Sequence, residues 1–102
     1  MTESKIIAGN VGDCRAIMFN KEFLCELTKD HKPTENNEKM RILKCGGKVY
    51  KEQIRLNYTP GQPVKFFTNT RIAPGNLNVS RTIGDIETKF KKYGGLPGMI
   101  SP

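Results

Sequence analysis

Apolar residues in this chain come in short bursts separated by polar turns, and the spacing of the bursts changes along its length. From Lys5 to Lys29 the bursts are strand-like. Lys5 to Val11 and Cys14 to Phe19 are rich in Ile, Val, Met and Phe, and the Gly12-Asp13 pair between them is a tight-turn signal, because glycine takes a positive φ without steric cost. Asn20-Lys21-Glu22 makes a second polar turn, after which Phe23, Cys25 and Leu27 alternate onto one face of a segment ending at Thr28. The pattern over residues 5–29 therefore predicts a β-meander. Asp30-His31-Lys32-Pro33 breaks it, since the residue before a proline is pushed to extended geometry and proline donates nothing to a ladder.

The period then lengthens. Thr34 is placed to cap a helix over residues 34–45, Glu35 and Glu38 fall in its electropositive first turns, Lys44 lies near its negative end, and Gly46-Gly47 terminates it. Met40 and Leu43, with Ile42 as a third candidate, form its expected buried stripe. Beyond Gly47 the pattern weakens. Val49-Tyr50 and Ile54 to Tyr58 are short strand candidates, but Pro60-Gly61-Gln62-Pro63, Asn69-Thr70 and Pro74-Gly75 punctuate the segment. Residues 48–75 are thus expected to be a long irregular surface excursion, of the kind that usually binds something or moves. Leu77 to Val79 restores a strand-like alternation, and the Gly- and Pro-containing tail from Tyr93 to Pro102 reads as extended coil.

Composition narrows the class. Leu, Ile, Val and Phe make up 24 of the 102 residues, above the roughly 20% below which a charged chain stays disordered. A chain this short holds one domain at most and buries only about two-thirds of its unfolded surface, so a thin core is expected. The longest apolar run, Ala16 to Phe19, is far from the roughly 20 residues that span a bilayer. The opening residues lack the basic end and apolar run of a secretory signal, which makes the cytoplasm or nucleus the expected location. Cys14, Cys25 and Cys45 are odd in number and lack close paired spacing, which argues for reduced structural thiols over disulfides or zinc ligands.

The net charge of +7 would attract phosphate-rich partners. The basic residues are scattered, however, and the one local cluster, Lys89, Lys91 and Lys92 beside Phe90 and Tyr93, is shorter than a nucleic-acid tail, so no nucleic-acid partner is expected. Catalytic machinery is sparse. The only histidine, His31, stands beside no nucleophile at a recognisable spacing. Only three aspartates occur, Asp13, Asp30 and Asp85. Asp13 alone sits on a predicted hairpin tip, where it either forms the turn or reaches into a cleft at the end of a sheet.

The order of the segments adds what no single segment carries. Ala8-Gly9-Asn10-Val11-Gly12-Asp13-Cys14-Arg15-Ala16, Leu27-Thr28-Lys29-Asp30-His31-Lys32-Pro33, Glu38-Lys39-Met40-Arg41-Ile42 with Gly46-Gly47, and Leu77-Asn78-Val79-Ser80-Arg81-Thr82-Ile83-Gly84-Asp85 follow one another. In this order and spacing they resemble the middle section of the metal-dependent, type 2C family of protein serine/threonine phosphatases. Arg71-Ile72-Ala73-Pro74-Gly75 and Tyr93-Gly94-Gly95 look like the branch common in plants and unicellular eukaryotes.

That resemblance implies an α+β fold, part of a β-sandwich of antiparallel sheets flanked by helices. It implies two core divalent metals, Mg or Mn, with a weaker third, and hydrolysis of phosphoserine and phosphothreonine in protein substrates by a metal-activated water. By similarity Asp13 contributes to the third metal site, residues 48–75 form a flap beside the active site that bears on substrate choice, and Arg81 and Asp85 hold structure. Two departures stand out: Cys14 replaces the usual serine, and the family's Asp-Gly-His-Gly, Asp-Gly-x-Trp-Asp and terminal Asp-Asn motifs are absent. The expectation is an internal piece of a phosphatase catalytic domain that is inactive by itself, the alternative being a non-catalytic phosphatase-like binding module. No membrane partner is expected.

Overall fold

The computed structural model describes residues 3–102. Its elements are β1 (Ile17–Phe19), β2 (Leu24–Glu26), α1 (Asn36–Lys44), β3 (Lys48–Arg55), β4 (Phe66–Ala73), α2 (Ile86–Lys89) and a single 3-10 turn at Lys91–Tyr93. β1 pairs with β2 and β3 with β4, giving two separate antiparallel sheets of two strands each. This is an α+β arrangement, the class that the resemblance implies. No helix among the described residues is long and apolar enough to cross a membrane.

The first sheet is smaller than a meander. Residues 5–11 join no ladder, and the turn expected to make a hairpin at Gly12-Asp13 is instead held by side chains from elsewhere. Ile6 and Ile7 are exposed; strand-like alternation yields a strand only where a neighbouring ladder accepts it. What survives is the β1–β2 hairpin, in which Asn20 Oδ1 accepts from the amides of Glu22 (2.7 Å) and Phe23 (2.9 Å). That side chain closes the turn as a local backbone mimic.

Residues 48–75 are the larger correction. Where an irregular excursion was expected, β3 and β4 pair in unbroken register over eight residues each, from Lys48 opposite Ala73 to Arg55 opposite Phe66. Val49, Tyr50, Ile54, Phe66, Phe67, Thr68, Thr70 and Ile72 are the β-branched and aromatic types that suit a pleated surface. Asn69 and Thr70, read as an interruption, lie opposite Glu52 and Lys51 within the ladder. The distal loop is closed by Asn57, whose Nδ2 donates to Pro63 O (3.2 Å) and whose Oδ1 accepts from the Thr59 amide (2.9 Å).

Helix α1 begins at Asn36 with Glu35 at its N-cap, where no side chain caps it, so Thr34 does not play that part. Its buried side chains are Glu38 and Ile42. Met40 is 70% exposed and Leu43 also faces outward, because the phase of the helix is set by what lies against it. Ile42 packs with Ile72, Met99 and Ile100 in a small core, flanked by Cys45, Val49, Leu77 and Leu96. The approach is close at Gly47, where a Cβ would run into Met99 Sδ and come within 2.9 Å of Ile42 Cγ2. Residues after Gly75, expected as strand and coil, make α2 and the 3-10 turn, and Leu77 makes only an isolated bridge to Ile72.

The radius of gyration is 18.2 Å, well above the ~13 Å of a compact domain of this length. The chain is accordingly a tight joint around Ile42 from which two hairpins extend.

Candidate functional site

Asp13 follows a buried glycine that must take a conformation few residues tolerate. Gly12 has φ +83°, and a Cβ there would stand 3.4 Å from Arg81 O. The turn is thus pressed against the 79–81 segment, nearly seventy residues later in sequence. His31 clamps the two together: its amide donates to Gly12 O (2.8 Å), its Nδ1 accepts from the Gly12 amide (3.2 Å), and its carbonyl accepts from the Ser80 amide (3.0 Å). An accepting Nδ1 leaves the ring proton on Nε2. Asn10 Nδ2 adds contacts to the carbonyls of Cys14 and Lys29, each at 3.1 Å. His31 and Asn10 are therefore positioning residues for the Asp13 turn, a role not visible in the sequence reading. Asn10 offered the one local signal, an Asx residue two positions before the turn glycine.

The Asp13 side chain is half-exposed, and its Oδ2 accepts from Lys32 Nζ at 2.7 Å. The hydrogen bond and charge of Lys32 hold the carboxyl below its ordinary range, so Asp13 is anionic at neutral pH. Beside it, Arg15 grips Asp30 with two parallel bonds of 2.9 Å, which lower the Asp30 pKa in the same way.

Asp13 faces a cleft of about 320 Å³ whose far wall carries Arg81, Thr82 and Asp85, with Val11 and Val79 between. The fold thus brings the Gly12-Asp13 and Arg81-to-Asp85 segments, separate in sequence, to one opening. Asp85 sits at a left-handed backbone position (φ +46°), and its carbonyl accepts from the Thr88 amide (2.9 Å) and hydroxyl (2.7 Å), anchoring α2. Arg81 is already engaged: Nε donates to Glu38 Oε1 (3.0 Å) and an NH group to Pro102 O (3.3 Å). Glu38 also pairs with Arg41 at 2.6 Å, and Arg41 donates to the carbonyls of Ser80 (2.6 Å) and Met99 (3.2 Å). Burial pushes the Glu38 pKa up, but its contacts with Arg41, Ser80 and Arg81 outweigh this and hold it below the usual value. This buried cluster joins α1 to the rear of the cleft.

These residues do not make a metal site within the chain. Mg²⁺ and Mn²⁺ take an octahedron of oxygens, whereas Asp13 offers one carboxylate already paired to an ammonium. Among the described residues no three His, Cys, Asp or Glu side chains converge.

A family model described as Protein phosphatase 2C matches residues 1–102. The chain belongs to the protein phosphatase 2C family. Among curated relatives it is 36% identical over 98 residues to "Probable protein phosphatase 2C 27" of Arabidopsis thaliana, which covers 96% of this chain and 20% of the relative. It is 34% identical over 91 residues to "Probable protein phosphatase 2C 21" of the same plant, covering 89% and 20%. With "Probable protein phosphatase 2C 2" of Oryza sativa subsp. japonica the identity is 32% over 98 residues, covering 96% and 21%. The chain spans about a fifth of the length of these type 2C relatives. No solved structure matches it.

Proposed function

We propose that this chain is the part of a protein serine/threonine phosphatase that carries one wall of the active-site opening and the hairpin beside it. The observation that supports this reading is the convergence of Asp13, Arg81 and Asp85 on one cleft in a chain of the type 2C family. The activity is hydrolysis of phosphoserine and phosphothreonine in protein substrates, dependent on Mg or Mn. Asp13 is the carboxylate that would help to hold such an ion, which would activate water toward the phosphate, and its pairing with Lys32 would have to open for it to do so. Asp13 and Asp85 are the carboxylates lining the cleft, too few to hold two ions that each take about six oxygens, so the chain alone does not turn over substrate.

The test uses a longer reading frame that contains this chain. Release of phosphate from a phosphothreonine peptide should require Mn²⁺, and Asp13→Asn should weaken Mn²⁺ binding, read by electron paramagnetic resonance of the free ion, along with turnover. Mn²⁺-dependent turnover by the 102-residue chain itself would sink the division of labour proposed here.

The Asp13–Lys32 ion pair favours a second reading, a non-catalytic phosphatase-like module. A carboxylate neutralised by lysine is an arrangement suited to holding structure. That reading requires salt-sensitive phosphopeptide binding with no Mn²⁺-dependent turnover in the longer protein.

A further inference from the structure

A trough opens between the β3–β4 hairpin and the segment entering α1. One part, about 230 Å³, begins at Lys32, the residue paired to Asp13, and runs past Thr34 and Thr70. The next, about 290 Å³, shares Pro33, Thr34 and Thr70 with it and ends between Lys39 of α1 and Lys51 of β3. Lys51 stands directly opposite Thr70 in the ladder, so both side chains lie on the sheet face that lines the trough.

The far end is rich in donors with nothing to bind. Lys39, Lys51, Thr34, Thr70 and Asn36 make no side-chain hydrogen bond or ion pair among the described residues. The nearby carboxylates are all occupied: Glu35 by Lys29 (3.0 Å), Glu38 by Arg41 and Arg81, Glu52 by Arg71 (2.7 Å), and Asp13 by Lys32. Two uncompensated ammonium groups on opposite walls, with hydroxyl and amide groups between them, suit a tetrahedral dianion better than a carboxylate. A phosphoryl group has oxygens enough for both lysines and a hydroxyl at once.

We propose that this trough seats a second phosphorylated residue of the substrate peptide, held between Lys39 and Lys51 while the scissile phosphoresidue lies at the Asp13 cleft. The inference rests on the phosphatase reading for its choice of ligand, but it is tested by binding alone. It makes the protein selective for multiply phosphorylated segments and gives the hairpin a defined recognition task.

The experiment is fluorescence anisotropy with Mn²⁺ and the longer protein that contains this chain, using peptides that cannot be hydrolysed. Labelled peptides carry either one phosphonate analogue of phosphoserine or two, the two separated by spacers of increasing length. At a fitting spacer the second phosphonate should tighten binding about tenfold, the scale of a charge-assisted hydrogen bond. The double variant Lys39→Gln, Lys51→Gln should abolish that gain while leaving the single-phosphonate peptide's affinity unchanged. Lys21→Gln, Lys44→Gln, which removes the same charge from exposed positions outside the trough, should keep it. The proposal is overturned if no spacer gives a gain, if the gain survives loss of Lys39 and Lys51, or if both double variants reduce it equally. Failure of the phosphatase reading shows separately, as absent Mn²⁺-dependent turnover in the longer protein with the binding gain intact.

Discussion

Around Ile42 the chain buries side chains from α1, β4 and the C-terminal segment against one another, whereas the β1–β2 hairpin leaves Phe19 71% and Leu24 69% exposed on opposite strands. Both regions are apolar in sequence. They differ in whether a second segment reaches them: Ile72, Met99 and Ile100 return to Ile42 from thirty to almost sixty residues away, and no described segment returns to Phe19. Apolar content alone therefore does not locate the core of this chain. The return path does, and the cleft at Asp13 lies on the closed side because His31 and Arg81 take part in that return.

The sharpest test of the closed region is a cavity at its centre. Ile42 is fully buried, so Ile42→Ala should lower unfolding free energy by about 3 kcal/mol, within the usual range for large-to-small core changes. Urea denaturation followed by circular dichroism measures it. A loss below about 1 kcal/mol would mean that the region is not the closed joint described. With so small a core the variant should populate unfolded chain at ambient temperature, and added osmolyte should restore a measurable transition.

Glu38 comes next. Removing its charge by Glu38→Gln strands Arg41 and Arg81, which is costly when an ion pair is buried. Because both arginines keep some solvent and other carbonyl partners, the expected loss is about 2 kcal/mol, below the roughly 3–5 kcal/mol of a fully buried pair. The same group predicts a pH dependence. Its folded-state pKa lies below the ordinary 4.5, so the stabilisation is complete above that value and is lost as pH falls through the lower folded value. Asp13 and Asp30 are shifted the same way. Thermal midpoints should thus decline below about pH 4.5, and the decline should be shallower in Glu38→Gln.

The contrast also explains what was legible beforehand. The helix over α1 is written locally, in its acidic start, basic end and terminating glycines, and it forms one residue or two inside its expected limits. Which of its apolar side chains is buried depends on Met99 and Ile72, so Ile42 could not be told from Met40 or Leu43 by period alone. The β3–β4 hairpin was missed because both its faces are largely exposed. Beyond the Val49–Ile72 pair no buried face enforces alternation, so polar residues such as Asn69 occupy ladder positions and erase the two-residue period. Asp13 stands out as a candidate through motif order alone. Its neighbours Lys32 and His31, each nineteen residues from the group it contacts, carry no such signal, since only the return of the chain brings them there.

The smallest expected effect concerns the open region, and it separates two meanings of an exposed apolar residue. Phe19 and Leu24 face each other across β1 and β2, so some cross-strand stabilisation is lost when both become serine. An exposed pair of this kind contributes only about 0.5 kcal/mol, and the unfolding midpoint of Phe19→Ser, Leu24→Ser should move little. Association should respond more strongly. A two-stranded sheet offers unpaired edges as well as this apolar surface to another molecule. Sedimentation velocity at rising concentration should show the parent chain shifting to larger species and the double serine variant remaining monomeric. If instead the variant unfolds as readily as Ile42→Ala, Phe19 and Leu24 belong to the closed region, and the division between joint and hairpins fails. If stability holds and self-association disappears, the apolar residues of β1–β2 form a surface that awaits a covering segment, the condition Ile42 has already met through Met99 and Ile100.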